Sequence, residues 1–477
     1  MSATATTEKK YLKWYQKLAY GSGDLASNCS YGLVSSFVLL YLTGTLGLDS
    51  AIIGSLMLAS KVLDGISDVI FGTLIDRTHS KLGKARPWML FGQVGVSLCL
   101  FLLFAIPAGS TTMQYIYFFI VYTALNAVFY TANGIAYSSL VALITKNNNE
   151  RVQLGSFRFM FAVVTNIFMG FAVTGMVEKF GSGAAGWRTT ALIFAIVGLV
   201  VNTISCLAVK ELPEEDLGDN TSEAAEEGKA VAEEKKHGFA ETAKVLVHNK
   251  YYLMILAIYI VYYIMSNLTT GAGVFCATYY WGDGSLLGQF SMMKMFPVII
   301  ALAIAPVLIK KTGSMQKVNF WGYAISSVLG IPMIYFAMQK NLSMFLLFMF
   351  IKGIFAGTLS GSLNALIAEA SGYTTRTTGI HMDGMMYSCS SLGVKVGGGI
   401  GTAAVGWLLK LGGFVGTATV QSESAIRMIF NLYITFPFVI GIIITVLLAF
   451  LDVEKANKKW DAEHLSLIHI SEPTRRS

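Results

Sequence analysis

Lys61-Val-Leu-Asp64-Gly-Ile-Ser67-Asp68 lies inside a long apolar stretch of the chain. Asp64 and Asp68 are four positions apart, so a helix puts both on one face. Ionisable groups at membrane depth are costly and mark function. Two carboxylates on one such face repel each other. They persist by sharing a proton, by meeting a basic group or by binding a cation. Their oxygens suit a hard cation such as Na+, and Ser67 adds a hydroxyl. Lys61, one turn earlier, offers the other solution, a salt-bridged pair used for packing or gating. The spacing leaves both open.

Other charges sit in apolar surroundings. Lys395 stands beside Gly397-Gly398-Gly399, too deep to snorkel, so it needs an acid, and Asp64 or Asp68 is the obvious candidate. Arg158 reads as a snorkelling residue or as part of a polar path. Lys294 and Lys352 read as snorkelling or structural pairs. His381 and Asp383 read as a cap or gate rather than as metal ligands. Two polar faces complete the inventory: Asp24, Asn28 and Tyr31, and later Asn126, Tyr130, Thr131, Asn133 and Tyr137. Amides and hydroxyls bond sugar hydroxyls and flat rings stack on a sugar face. Hydrogen bonding between helices is the other use of such residues.

These side chains need elements to hold them. Of 477 residues, 54% are apolar and only 13% are charged, about half the charged share of a soluble protein. That balance excludes an ordinary cytosolic enzyme, a nucleic-acid binder and a disordered chain. The five cysteines (29, 99, 206, 276 and 389) lie in or beside apolar stretches without metal-ligand spacing, so no disulfide framework or metal site is expected. A spanning helix needs roughly 20 apolar residues. Twelve such segments are expected, over 20–43, 51–75, 88–107, 113–142, 155–178 and 187–209, then 251–274, 285–309, 318–338, 342–367, 378–408 and 427–451. The class is therefore an all-α membrane protein of two six-helix bundles, 1–209 and 251–460. A solvated cytoplasmic linker, 210–250, with a short helix over 223–237, joins them. Residues 466–477 resemble translated cloning sequence and read as a non-native tail.

Residues 1–19 are polar and carry no signal-peptide pattern. With the N-terminus inside, the cytoplasmic segments hold most of the 35 Lys and Arg, and the other side only Lys179, Arg188, Lys340, Lys410 and Arg427. This positive-inside bias puts both termini in the cytoplasm of a multi-pass inner-membrane protein. The net charge of +7 is thus mostly topological. Between the second and third segments, Asp76, Arg77, Lys84 and Arg86 lie in Gly72-Thr-Leu-Ile-Asp76-Arg77…Gly83-Lys84-Ala-Arg86-Pro87-Trp88. They can form charge pairs that break when a gate opens. A degenerate echo, Lys310-Lys311-Thr-Gly313…Lys317, follows the eighth segment and supports two related halves.

The twelve segments and this loop resemble the major facilitator superfamily. Four phrases in order look like its glycoside–pentoside–hexuronide:cation symporter family: Lys17-Leu-Ala-Tyr20-Gly-Ser-Gly-Asp24-Leu-Ala-Ser-Asn28, Asp64-Gly-Ile-Ser-Asp68, Leu82-Gly-Lys-Ala-Arg-Pro-Trp88, and Gly372-Tyr373 through Asp383 and Tyr387 to Lys395-Val-Gly-Gly. The resemblance spans about residues 11 to 453. It implies uptake of a glycoside, pentoside or hexuronide with Na+, H+ or Li+ by alternating access. Beyond that coupling ion no cofactor is implied. Asp64 and Asp68 would be cation ligands, with Ser67 and Thr131 helping. Lys395 would face that site, and Asp24, Asn28, Tyr130, Asn133 and Arg158 would line the sugar path. Asn28 and Gly134 stand where melibiose-type members carry acids, Ser138 where they carry an aromatic, and Glu369 where relatives often have Asp. Asp24-x-x-x-Asn28 is nearer the glucuronide type. An uncoupled sugar facilitator and a Na+-coupled lysolipid carrier are the alternatives within the fold. No catalytic cluster, signalling domain or pore-loop repeat points to an enzyme, sensor or channel.

Overall fold

The computed structural model describes residues 9–213, 245–379, 383–418 and 420–470. The expected 223–237 helix, most of the linker, His381 and residues 471–477 lie outside them, as does the side chain of Asp383. Among the described residues all regular structure is helical. That is what lipid demands, because a helix satisfies its backbone hydrogen bonds within one segment.

Among the described residues, twelve long helices follow one another. They are α1 (Trp14–Thr45), α2 (Ser50–Asp76), α3 (Arg86–Leu103), α4 (Thr111–Ile144), α5 (Asn148–Lys179), α6 (Gly183–Ala208), α7 (Lys250–Trp281), α8 (Leu286–Thr312), α9 (Met315–Met338), α10 (Leu342–Thr378), α11 (Met385–Leu411) and α12, whose main stretch is Phe436–Phe450. A further helix, α13 (Val453–Ile470), takes in residues 466–470 of the proposed tail. Eleven of the long helices are apolar enough to span by composition alone. α2 is the exception because Lys61, Asp64 and Asp68 interrupt it. Polar side chains start several of them. Asp49 accepts the amides of Ala51 and Ile52, Ser110 that of Met113, Asn341 that of Met344 and Ser422 that of Ala425.

Several helices outrun their apolar segments. α5 begins at Asn148 rather than 155, with Asn147 capping it. α10 continues to Thr378 rather than 367, because its polar end packs on α13: the Arg376 guanidinium donates to Asn457 at 3.1 Å, and the Asn457 amide donates to Glu369 at 2.9 Å. π turns interrupt α1 at Tyr41–Thr45, α4 at Ala124–Tyr130, α7 at Cys276–Trp281, α11 at Gly393–Gly397 and α12 at Asn431–Thr435. Such turns often accompany functional positions.

The chain divides into two compact units. One comprises the described residues within Met1–Asp219 together with Ser266–Met292 and Gly399–Ile434. The other comprises those within Asn220–Met265, Met293–Gly398 and Thr435–Ser477. In the first, α1 lies against α5 and α6, α3 against α4 and α6, and α2 against α4. In the second, α9 and α10 pack together, with a core that includes Ile258, Leu359, Leu366 and Ile444.

Within the first unit α2 meets α11 along small residues. A Cβ on Gly54 would lie 2.7 Å from the Ala403 carbonyl, and one on Gly406 would collide with the Ser50 carbonyl. The Ser50 hydroxyl donates to the Gly406 carbonyl at 2.9 Å and the Trp407 indole to Ser55 at 3.0 Å. An ion pair ends this seam, Lys410 Nζ to Asp49 Oδ2 at 2.6 Å. Partial burial raises the Asp49 pKa, but the Lys410 ammonium and the Ala51 and Ile52 amides outweigh it and hold the carboxyl below its ordinary value. Tyr115 is the other titratable group at this spot, accepting the Asp49 amide. A lowered folded-state pKa stabilises above the ordinary carboxylate range and is lost as pH falls through the lowered value. Purified protein should therefore lose thermal stability on acidification in a component that Asp49→Asn removes. Identical pH profiles for the two proteins would refute this.

Candidate functional site

α2 turns one face outward and another inward. Val62, Ile66 and Val69 are 62%, 58% and 72% exposed, at helical spacing. Ile53, Met57, Ser60 and Asp64 form the inward stripe, with Asp64 only 4% exposed. A buried carboxylate needs partners, and Asp64 has them. Thr131 Oγ1 donates to Oδ1 at 2.7 Å, and Lys61 Nζ lies 3.3 Å from Oδ2. The π turn Ala124–Tyr130 sets the Thr131 hydroxyl, which also stands 3.0 Å from the Asn126 carbonyl. Its single proton serves one acceptor at a time. Ser67 turns back on its own helix and donates to the Asp64 carbonyl at 2.9 Å. Asp68 is half-buried one turn on.

Lys395 belongs to the second unit, inside the π turn Gly393–Gly397 of α11. Flanking glycines bring this turn against α7: a Cβ on Gly393 would strike Tyr259, and one on Gly397 the Ile260 carbonyl.

The polar faces of α1 and α4 part company. Asp24 Oδ2 pairs with Arg158 Nε at 2.5 Å, and the Arg158 guanidinium lies 4.2 Å from the centre of the Tyr137 ring. Arg158 is thus held by an acid and an aromatic face rather than snorkelling. The Tyr137 hydroxyl donates to the Tyr20 carbonyl at 2.8 Å, and Tyr20 donates back to the Tyr137 carbonyl. Asn28 accepts the Asn166 amide at 2.9 Å. Tyr130 stacks on Tyr31, ring centres 5.7 Å apart. Asn133 turns elsewhere: it is 2% exposed and its amide donates to Gln93 at 2.8 Å, joining α4 to α3.

Asp76 and Arg77 are exposed at the end of α2. The Arg86 guanidinium donates to the Cys206 and Leu82 carbonyls. Glu211 accepts the backbone amides of Lys84, Ala85 and Arg86 at 2.7–3.0 Å. It thereby satisfies donors left over at the start of α3. Glu454 does the same in the second unit, accepting the amides of Met315 and Gln316 at the start of α9. The available sequence signal was a glutamate just past the last spanning helix of each half. Lys17–Glu150 at 3.0 Å and Asn166 were likewise not singled out. Glu211→Ala should lower the melting temperature of the solubilised protein by the equivalent of about 1–2 kcal/mol, as should Glu454→Ala. An unchanged melting curve would contradict the capping role.

Residues 19–455 match the family model described as MFS/sugar transport protein. The isoprimeverose transporter of Lactiplantibacillus pentosus is 26% identical, over 95% of this chain and 92% of that one. The glucuronide carrier protein homolog of Escherichia coli (strain K12) is 23% identical over 85% of each. Among solved structures, a bacterial homolog of the human lysosomal transporter Spinster, inward-facing and unoccupied, superposes with a TM-score of 0.67. That match covers 94% of this chain and 98% of that one, at 13% identity. It bears on the fold alone.

Proposed function

This chain belongs to the MFS/sugar transport protein family, and from that premise we propose that it carries a glycoside, pentoside or hexuronide together with Na+ or H+ by alternating access. The family is one of membrane transporters rather than enzymes. The observation that carries the coupling is the Asp64 carboxylate, buried within a spanning helix between a hydroxyl and an ammonium, with Asp68 one turn away. Oxygen donors at this spacing suit Na+ as well as a proton. An entering cation competes with the Lys61 ammonium for Asp64. Thr131 donates a hydrogen bond to the empty carboxylate and can turn its lone pairs to a bound ion. Ser67 contributes its carbonyl-bound hydroxyl only after rotating.

The sugar path in the first unit runs along Asp24, Asn28, Arg158, Asn166 and the Tyr31–Tyr130 pair. Asn133 serves helix packing in this reading. The names of the relatives, for isoprimeverose and for glucuronide, agree with a sugar cargo. Cation binding relieves repulsion between Asp64 and Asp68 and so favours one conformation. By reciprocal linkage each ligand then raises affinity for the other. The positive-inside loops support an inner-membrane protein with both termini in the cytoplasm. Asp76, Arg77, Lys84 and Arg86 belong to its cytoplasmic gate.

Uptake of labelled sugars into membrane vesicles, with and without imposed Na+ and H+ gradients, tests the proposal. Accumulation above equilibrium on one gradient is expected. Uptake that only equilibrates, whatever the gradient, would make the protein an uncoupled facilitator. Uptake of lysolipid instead of sugar would place it with the lipid carriers.

A further inference from the structure

Charges in the second unit remain outside this account. Lys352 follows Leu342, the first residue of α10, by ten positions, about 15 Å along the axis. That is mid-depth in a hydrocarbon core about 30 Å thick, beyond the reach of a snorkelling stem. No hydrogen bond or ion pair joins Lys352 to another described residue. The spanning segments of this half carry Lys294, Lys352 and Lys395, while their acids, Glu369 and Asp383, stand near the cytoplasmic ends.

The packing of α10 says where Lys352 stands. Gly353, Gly357 and Gly361 form a stripe that seats α8. A Cβ on Gly353 would lie 2.8 Å from Pro297 Cβ, and one on Gly357 2.7 Å from Ala301 Cβ. The opposite flank meets α9, where a Cβ on Gly322 would touch the Phe355 carbonyl and the Thr358 hydroxyl. At about 100° per residue, Lys352 falls on the side turned neither to α8 nor to α9. Ser360, two turns on, bonds the Tyr262 hydroxyl at 2.7 Å, and Asn364 accepts from Tyr259 at 2.8 Å. Tyr263 stacks on Tyr259 and meets Tyr262 edge-on, so aromatic rings of α7 meet α10 about 12 Å and more beyond Lys352, toward its cytoplasmic end. The Met293 carbonyl lies against Gly353, which puts neighbouring Lys294 at the level of Lys352.

A desolvated ammonium needs an opposite charge. Arg158 has Asp24 and Lys61 has Asp64, whereas a neutral sugar offers Lys352 nothing to match. A carboxylate does, and the α7 tyrosines that meet α10 two to three turns further on suit a sugar ring extending from it. We propose that Lys352 receives the carboxylate of an acidic sugar, a uronate or uronide, with Lys294 strengthening the positive field at that level. This rests on the sugar-carrier reading and narrows its substrate class.

The test is vesicle uptake of uronides, each paired with its neutral twin, such as methyl β-D-glucuronide and methyl β-D-glucoside. Wild type should show a KM at least about tenfold lower for the uronide, the effect of one charge-assisted contact. Lys352→Met should erase that difference and leave the glucoside KM unchanged, while Lys352→Arg keeps the preference. Equal or better handling of the neutral twin by wild type would overturn the proposal, whether or not any variant folds. So would a Lys352→Met variant that weakens both sugars alike. Cation-driven uptake of the neutral sugar alone would refute only this inference. Failure of both sugars to accumulate on any gradient would refute the carrier reading itself.

Discussion

Replacing Asp64 with asparagine should leave cation-driven sugar accumulation at background. The amide keeps the shape of the side chain and an oxygen for the Thr131 hydroxyl, 2.7 Å away in the native site, but it carries no charge. Contacts to a charged group contribute about 1.5–3 kcal/mol, and each 1.4 kcal/mol is about tenfold in affinity. Cation affinity should therefore fall by between about tenfold and a hundredfold, beyond the range of ordinary gradients. Lys61, 3.3 Å from this carboxylate, would be stranded in the variant, so Asp64→Asn combined with Lys61→Gln separates misfolding from lost coupling. Both variants should still exchange sugar down its own gradient. Unchanged cation stimulation in Asp64→Asn would remove Asp64 from the cation site.

The second large effect belongs to Arg158 and Asp24. Their side chains keep only 26% and 18% of their exposure. Removing one partner of a buried pair costs about 3–5 kcal/mol, because the other charge is left uncompensated. Residual exposure puts this pair toward the lower end. Arg158→Gln alone should cut membrane-inserted protein and abolish uptake. Arg158→Gln with Asp24→Asn removes both charges and should restore insertion, leaving uptake absent if the pair touches sugar. Restored uptake in the double variant would give the pair a purely structural role.

Asp64 and Asp68 were legible because two acids in an apolar stretch have few explanations and their spacing alone sets a common face. The Lys61 partnership was one of two open readings, since three- and four-residue spacings both place groups within reach. The polar faces of α1 and α4 were legible as faces only. Which amide served packing and which stayed half-buried depended on the neighbour: Asn133 met Gln93 of α3, while Asn28 met Asn166 of α5. Lys352 read as a structural pair or a snorkelling residue. That reading changes once the α8 stripe and the α9 contact assign the flanks of α10.

Composition and periodicity by themselves determined a helical membrane protein, its twelve segments and the residues too costly to be idle. They do so because burial in lipid is a property of each segment, whatever its neighbours. Partnerships were decided by tertiary structure alone. Glu211 caps α3 from beyond α6, Arg158 finds Asp24 rather than water, and π turns rotate Thr131 and Lys395 out of ideal helical register. Such contacts join residues more than a hundred positions apart or depend on one extra residue in a turn, and local sequence carries no energy term for either.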